Sequence, residues 1–225
     1  MKLLIAIDGP AGSGKSTVSK LAAKKLGLKY VNTGAMYRAA ALKAVRKGIK
    51  DDDEKGLEAL LKNTQITMNQ NSILLDGEDI TAAIREPKMG LLASTYSRSG
   101  TVRKQLVHLQ RKMGKNGGVI MEGRDIGTVV FPEADLKIYL DASVEVRARR
   151  RTTELKNKKV DFKNTLDEVK KRDSQDSKRK LAPLKPARDA IVIDTTNIGI
   201  EEVVSLILKK IREEDSLQSV GPLTR

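Results

Sequence analysis

An α/β fold, built on a mostly parallel central sheet with helices on both faces, is predicted by three observations in this 225-residue chain. Short apolar runs alternate with stretches of helical periodicity. The first run, residues 3–7, is continuously aliphatic, as a strand buried on both faces must be. A glycine-rich turn leads straight from it into the first helical stretch. The length suits one domain with inserted lobes, since single cores stop growing near ~250–300 residues.

The elements follow in order. A strand over 3–7 and a helix over 14–26 ending at Gly27 precede a short strand at 30–31. Helical spacing continues over 35–46 and 54–61. The period then changes to alternation in 65–68 and 73–75, broken by Asn69, Asn71 and Gly77, which reads as a small antiparallel insert. Helices over 88–94 and 102–113 lead to a strand at 118–121 and the loop EGRDIGT. A strand at 136–140, a strongly charged helical stretch over 144–179, a strand at 190–193 and a helix over 200–211 complete the pattern. Residues 216–225 read as a frayed tail. Parallel sheets of this kind take ligands at the carboxyl ends of their strands.

Composition narrows the chemistry. Hydrophobic residues make up 39% of the chain, enough for a core, but only 3% is aromatic and there is no Trp, so base-stacking platforms are not expected. The absence of Cys excludes a disulfide framework, a thiol nucleophile and a cysteine zinc site. No long apolar span or signal-like segment occurs, which makes the cytoplasm the expected compartment. The formal charge of +14 suits nucleic acid, an anionic membrane or small phosphorylated ligands, and does not choose among them.

The choice begins with Gly9-Pro10-Ala11-Gly12-Ser13-Gly14-Lys15-Ser16-Thr17, which matches G-x-x-x-x-G-K-[ST] between an expected strand and an expected helix. Such a loop turns successive amides toward phosphate oxygens, with Lys15 reaching the β- and γ-phosphates of a nucleoside triphosphate and Ser16 ligating Mg²⁺. No N-K-x-D string for guanine is present; the nearest run, Asn157-Lys158-Lys159-Val160, lacks the aspartate. Nor does an apolar strand end in an adjacent Asp-Glu pair for hydrolysis. Glu122, after Val119-Ile120-Met121, is either a metal-shell acid or a plain strand-end acid.

A second set of residues lies at strand ends. In Asn32-Thr33-Gly34-Ala35-Met36-Tyr37-Arg38, Thr33 and Arg38 face the same cleft as the loop, Arg38 being a phosphate fork or an ordinary surface arginine. Tyr37 packs against a bound nucleoside or in the core. Arg124 and Asp125 form a salt bridge, or else Arg124 binds phosphate while Asp125 accepts from an exocyclic amine, with Ser94 and Arg103 as donors to a base. The run from Arg147 through Arg149, Arg150 and Arg151 to Lys159 is a solvated face or a basic lid. Arg172, Asp176 and Arg179 share a helical face and reach ribose and phosphate, or Arg172 and Asp176 merely pair. His108 reads as incidental, and Met68 and Met89 as packing residues.

Together GPAGSGKST, NTGAMYR, Val102-Arg103, EGRDIGTVVFP, KIYLDAS, the Arg-Asp pair before Asp176 and Ala182-Pro183-Leu184 closely resemble bacterial cytidylate kinases, from residue 3 to about 208. The resemblance implies a single kinase domain with a three-layer, adenylate-kinase-like P-loop NTPase core (1–33, 117–150 and 180–214). It also implies an NMP-binding lobe over about 34–116, a lid region over about 151–179 with a short lid near 151–162, and a flexible tail at 215–225. ATP with Mg²⁺ would be the donor and CMP or dCMP the acceptor, in a cytoplasmic monomer with neither nucleic acid nor membrane as partner. Thr33, Arg38 and Arg124 would hold the acceptor's phosphate, while Ser94, Arg103 and Asp125 read cytosine. Arg172 and Asp176 would touch ribose and phosphate. Lys15, Arg124, Arg179 and the arginines near Arg150 would offset charge on the transferring phosphoryl. The chain departs from the family at Asn32 and Glu122, where Asp is usual or frequent.

Overall fold

The structure, a computed structural model, describes residues 2–69, 72–154 and 161–219. Five strands, β1 (Leu4–Asp8), β2 (Lys29–Asn32), β6 (Val119–Gly123), β7 (Leu136–Asp141) and β8 (Ile191–Asp194), form one sheet in the order β2-β6-β1-β7-β8. Every neighbouring pair is parallel. Strand β1 is buried along its whole length because it is central and covered on both faces. Its side chains alternate between two cores. Ile5 and Ile7 pack with Val18 and Ala22 of α1 (Lys15–Leu26) and with Val203 and Ile207 of α8 (Ile200–Ser219), whereas Leu4 and Ala6 pack with Val31, Met121 and Ile126 on the other face. That is the predicted three-layer arrangement.

The registry Asp8↔Gly123, Asp8↔Tyr139 and Asn32↔Glu122 brings the carboxyl ends of four strands to one edge. At that edge the glycine loop leads into α1, and Asn32 caps α2 (Thr33–Arg46) by accepting from the Ala35 amide at 2.9 Å. An amide side chain caps a helix about as well as a carboxylate does.

A separate lobe packs α2 against α3 (Glu54–Lys62), α4 (Pro87–Tyr96) and α5 (Gly100–Gly114), around Met36, Leu57, Met89 and Leu106. On it lies the antiparallel sheet β3 (Ile66–Met68), β4 (Ile73–Leu75) and β5 (Glu78–Asp79). Alternation identified β3 and β4. It missed β5, which is two residues long and exposed, and is paired only because Asp76 and Gly77, both at positive φ, turn the chain back.

The charged stretch at 144–179 is two helices, α6 (Val144–Glu154) and α7 (Phe162–Lys178). The expected short lid near 151–162 includes 155–160, which lie outside the described residues. The last helix extends past the expected end at 211 to Ser219, so 216–219 of the expected tail are helical and 220–225 lie outside the described residues. Among the described residues no helix is long and apolar enough to cross a membrane.

Candidate active site

The glycine loop is shaped by what passes beneath it. At Gly9, φ is +146° and a Cβ would stand 2.0 Å from the Leu140 carbonyl oxygen; at Gly12, φ is +77° and a Cβ would stand 2.7 Å from that of Arg147. Arg147 also braces the loop from below, donating through Nε to the Ala142 carbonyl (2.8 Å) and through Nη1 to that of Ala11 (3.2 Å), while pairing with Asp173 of α7 at 2.7 Å.

Lys15 is folded into the loop, its Nζ donating to the Pro10 carbonyl at 2.6 Å and to Ser13 Oγ at 3.3 Å. Burial, aided by the charge of Arg124, holds its ammonium well below the usual lysine range. An anion entering the loop would relieve both effects. Ser16 stands at the start of α1 beside Tyr30, whose hydroxyl donates to Glu122 Oε1 at 2.5 Å and accepts from Asn32 at 3.2 Å. Burial and the neighbouring Glu122 charge raise the Tyr30 ionisation. No group of three acidic, His or Cys side chains that could hold a metal forms among the described residues. A single hydroxyl, with phosphate and water oxygens for the rest, is the kind of hard, sparse protein set that suits Mg²⁺.

One cleft continues from Lys15, Ser16 and Thr17 past Thr33, Tyr37 and Arg38 to Ser94, Asp125 and Arg179. Thr33 Oγ1 donates to the Glu122 carbonyl at 2.7 Å, tying α2 to the end of β6. Six arginines, Arg38, Arg85, Arg124, Arg151, Arg172 and Arg179, line this space. Burial lowers Arg38 to about 10 and Arg172 to about 9, with neighbouring arginines adding to the effect. Crowded, desolvated cations of this kind form an anion-binding wall.

Asp125 and Asp176 line the same cleft. Asp125 pairs with Arg103 and lies 3.7 Å from Arg179; Arg103 in turn stands 5.9 Å from the Tyr37 ring centroid. Burial pushes the Tyr37 hydroxyl up to about 12. Asp176 accepts from Ser94 Oγ at 2.8 Å and from Arg124 Nε at 3.0 Å, with Arg172 looser at 3.9 Å. Burial pushes the Asp176 carboxyl up, but Arg124, Arg172 and Arg179 outweigh it and hold the group below its usual range. The sequence alternatives resolve accordingly. Arg124 and Asp125 are not each other's partners, and the Arg172–Asp176 contact is secondary.

Most expected site residues therefore meet in one place. Arg150 does not: its guanidinium donates to Thr195 Oγ1 (2.9 Å) and the Thr195 carbonyl (2.5 Å), and Arg151 takes the position on the cleft. Neighbouring helical residues point about 100° apart, and the packing of α6 decides which one faces inward. The sequence reading missed Asp8 and Tyr30, and read Arg147 as part of a solvated face or basic lid rather than as a brace under the loop. Arg147 had a signal, its i,i+4 spacing from Arg151; Asp8 had only its place at the end of the first strand.

A Walker loop at the edge of a parallel sheet, opening into the same cleft as an arginine wall, defines the class of P-loop kinases acting on phosphorylated small molecules. The sequence matches the family described as Cytidylate kinase over residues 5–213, and the chain belongs to that family. A cytidylate kinase of Caldicellulosiruptor saccharolyticus is 51% identical over 92% of this chain and 95% of its own length; one of Thermotoga maritima is 48% identical over 95% and 98%. The fold is shared with a gluconokinase from Sinorhizobium meliloti 1021 at TM-score 0.50 and 14% identity, over 97% of this chain and 98% of that one.

Proposed function

We propose that the chain transfers the γ-phosphoryl of ATP to CMP or dCMP, giving ADP and CDP or dCDP. The observation that carries this reading is the single cleft joining the Lys15 loop, the arginine wall and Asp125, a buried carboxylate held by Arg103. In this reading the amides from Gly9 to Thr17 and Lys15 hold the donor phosphates. Ser16 would hold Mg²⁺, which supplies charge neutralisation on those phosphates, with Glu122 in reserve behind Tyr30.

On the acceptor side Arg38 and Arg124 grip the phosphate beside Thr33, Arg172 and Asp176 reach ribose and phosphate, and Ser94, Arg103 and Asp125 read the base. Asp125, paired with Arg103, accepts from the 4-amino group of cytosine, which uracil lacks. Arg151 and Arg179 spread positive charge onto the transferring group. Because the acceptor phosphate oxygen is already ionised, alignment and charge suffice and no general base is needed.

The test is a coupled assay of ATP consumption with Mg²⁺ against CMP, dCMP, UMP, AMP, GMP and no acceptor. Turnover concentrated on CMP and dCMP is expected. Equal rates with UMP would remove the role given to Asp125, and acceptor-independent hydrolysis alone would overturn the whole reading.

A further inference from the structure

Asp8 closes β1, is only 4% exposed and belongs to none of the roles above. Its Oδ1 accepts from the Ile126 amide at 2.9 Å and its Oδ2 from the Gly127 amide at 2.8 Å. These are the first two amides of a single π-helical turn, Ile126–Val130, that begins directly after Asp125. Asp125 thus occupies the capping position, from which an aspartate ordinarily accepts from the second or third amide, here Gly127 or Thr128. It makes no such bond. Its carboxylate instead meets Arg103 and approaches Arg179.

We infer that Asp8 is a positioning residue for recognition of the acceptor base: by capping the turn in place of Asp125, it leaves the Asp125 carboxylate free to face the cleft. Physical competition supports the assignment. Two buried amides without an acceptor would draw on the carboxylate that directly precedes them in the chain, that of Asp125. Gly127 is also held close, a Cβ there standing 3.2 Å from the Lys137 side chain and 3.5 Å from Asp8 Oδ2, so the turn has little room to settle elsewhere. The role rests on the proposal that Asp125 reads the base.

The experiment is a double-mutant cycle of Asp8→Asn and Asp125→Ala in the full chain, reading KM for CMP, UMP and ATP. Asp8→Asn presents an amide N–H where one of the two backbone amides needs an acceptor. It is expected to raise the CMP KM about tenfold and shrink the preference for CMP over UMP, with the ATP KM changed less than about twofold. In the Asp125→Ala background it is expected to leave the remaining preference unaltered. Asp8→Ser, which keeps one acceptor in a smaller side chain, is run in parallel and should show the same split if Asp8→Asn folds poorly. A full CMP preference in either Asp8 variant, equal rises in the CMP and ATP KM, or additive effects in the cycle would overturn the role. A wild-type chain indifferent to CMP and UMP would instead remove the base-reading proposal itself, a result visible before any Asp8 variant is measured.

Discussion

Arg38 places a guanidinium on the cleft with its buried Nε lacking a hydrogen-bond partner among the described residues. A buried donor left open is costly in the unliganded protein, so its partner is expected to arrive with the acceptor. Replacing Arg38 with Met should raise the CMP KM by about 10- to 100-fold while the ATP KM stays near wild type, since a charged hydrogen bond contributes about 1.5–3 kcal/mol. Steady-state kinetics with each substrate varied in turn would check it.

Asp8 makes a second prediction at this scale, concerning stability. Burial raises its carboxyl from 3.8 to about 6, against the two amides that favour ionisation, while the charge of Asp125 raises it further and that of Lys15 lowers it. Between those values the folded protein holds a proton that the unfolded chain has released. Asp8 therefore favours folding below about pH 4, and its contribution is lost as the pH rises through about 6. Calorimetric melting from about pH 4 to 7 should show a decline in wild type that is shallower in Asp8→Asn.

Among the elements, the glycine loop and α6 depend on one another. Arg147 fills the space under Gly12 and ties Ala11 to Asp173 of α7, so the glycine loop and α7 share one brace. Gly12→Ala would drive a Cβ into the Arg147 carbonyl at a positive φ that other residues rarely adopt. The strain, about 1–3 kcal/mol, should weaken ATP binding about 5- to 150-fold, measured by calorimetric titration. A substitution that left ATP affinity intact would show that loop and helix move apart freely. The same brace explains why the run from Arg147 to Arg151 is not a uniform solvated face. Arg147 looks under the loop, Arg150 toward Thr195 and Arg151 onto the cleft, each direction fixed by the phase of one helix against the sheet.

The whole molecule divides its apolar core. The sheet is covered by two clusters, around Ile7 and around Met121, whereas the lobe from α2 to α5 has its own around Leu57 and Leu106. Leu57→Ala should lower stability by about 2–5 kcal/mol, because a side chain only 1% exposed leaves a cavity, yet ATP affinity should persist because the donor loop rests on the other clusters. Thermal melting and ATP titration of the same variant would test the division. The sequence alone determined the α/β class, the order of most elements, the glycine loop and the identity of most cleft residues. These follow from local periodicity and from a motif whose eight positions, Gly9 to Ser16, are contiguous. Only the tertiary structure decided that Asp125 meets Arg103, that Arg124 meets Asp176, that Arg151 displaces Arg150 from the cleft and that Asp8 caps a turn 118 residues away. Those pairings join residues far apart in the chain, and their geometry depends on strand registry and helix phase, which are set by packing that no single segment encodes.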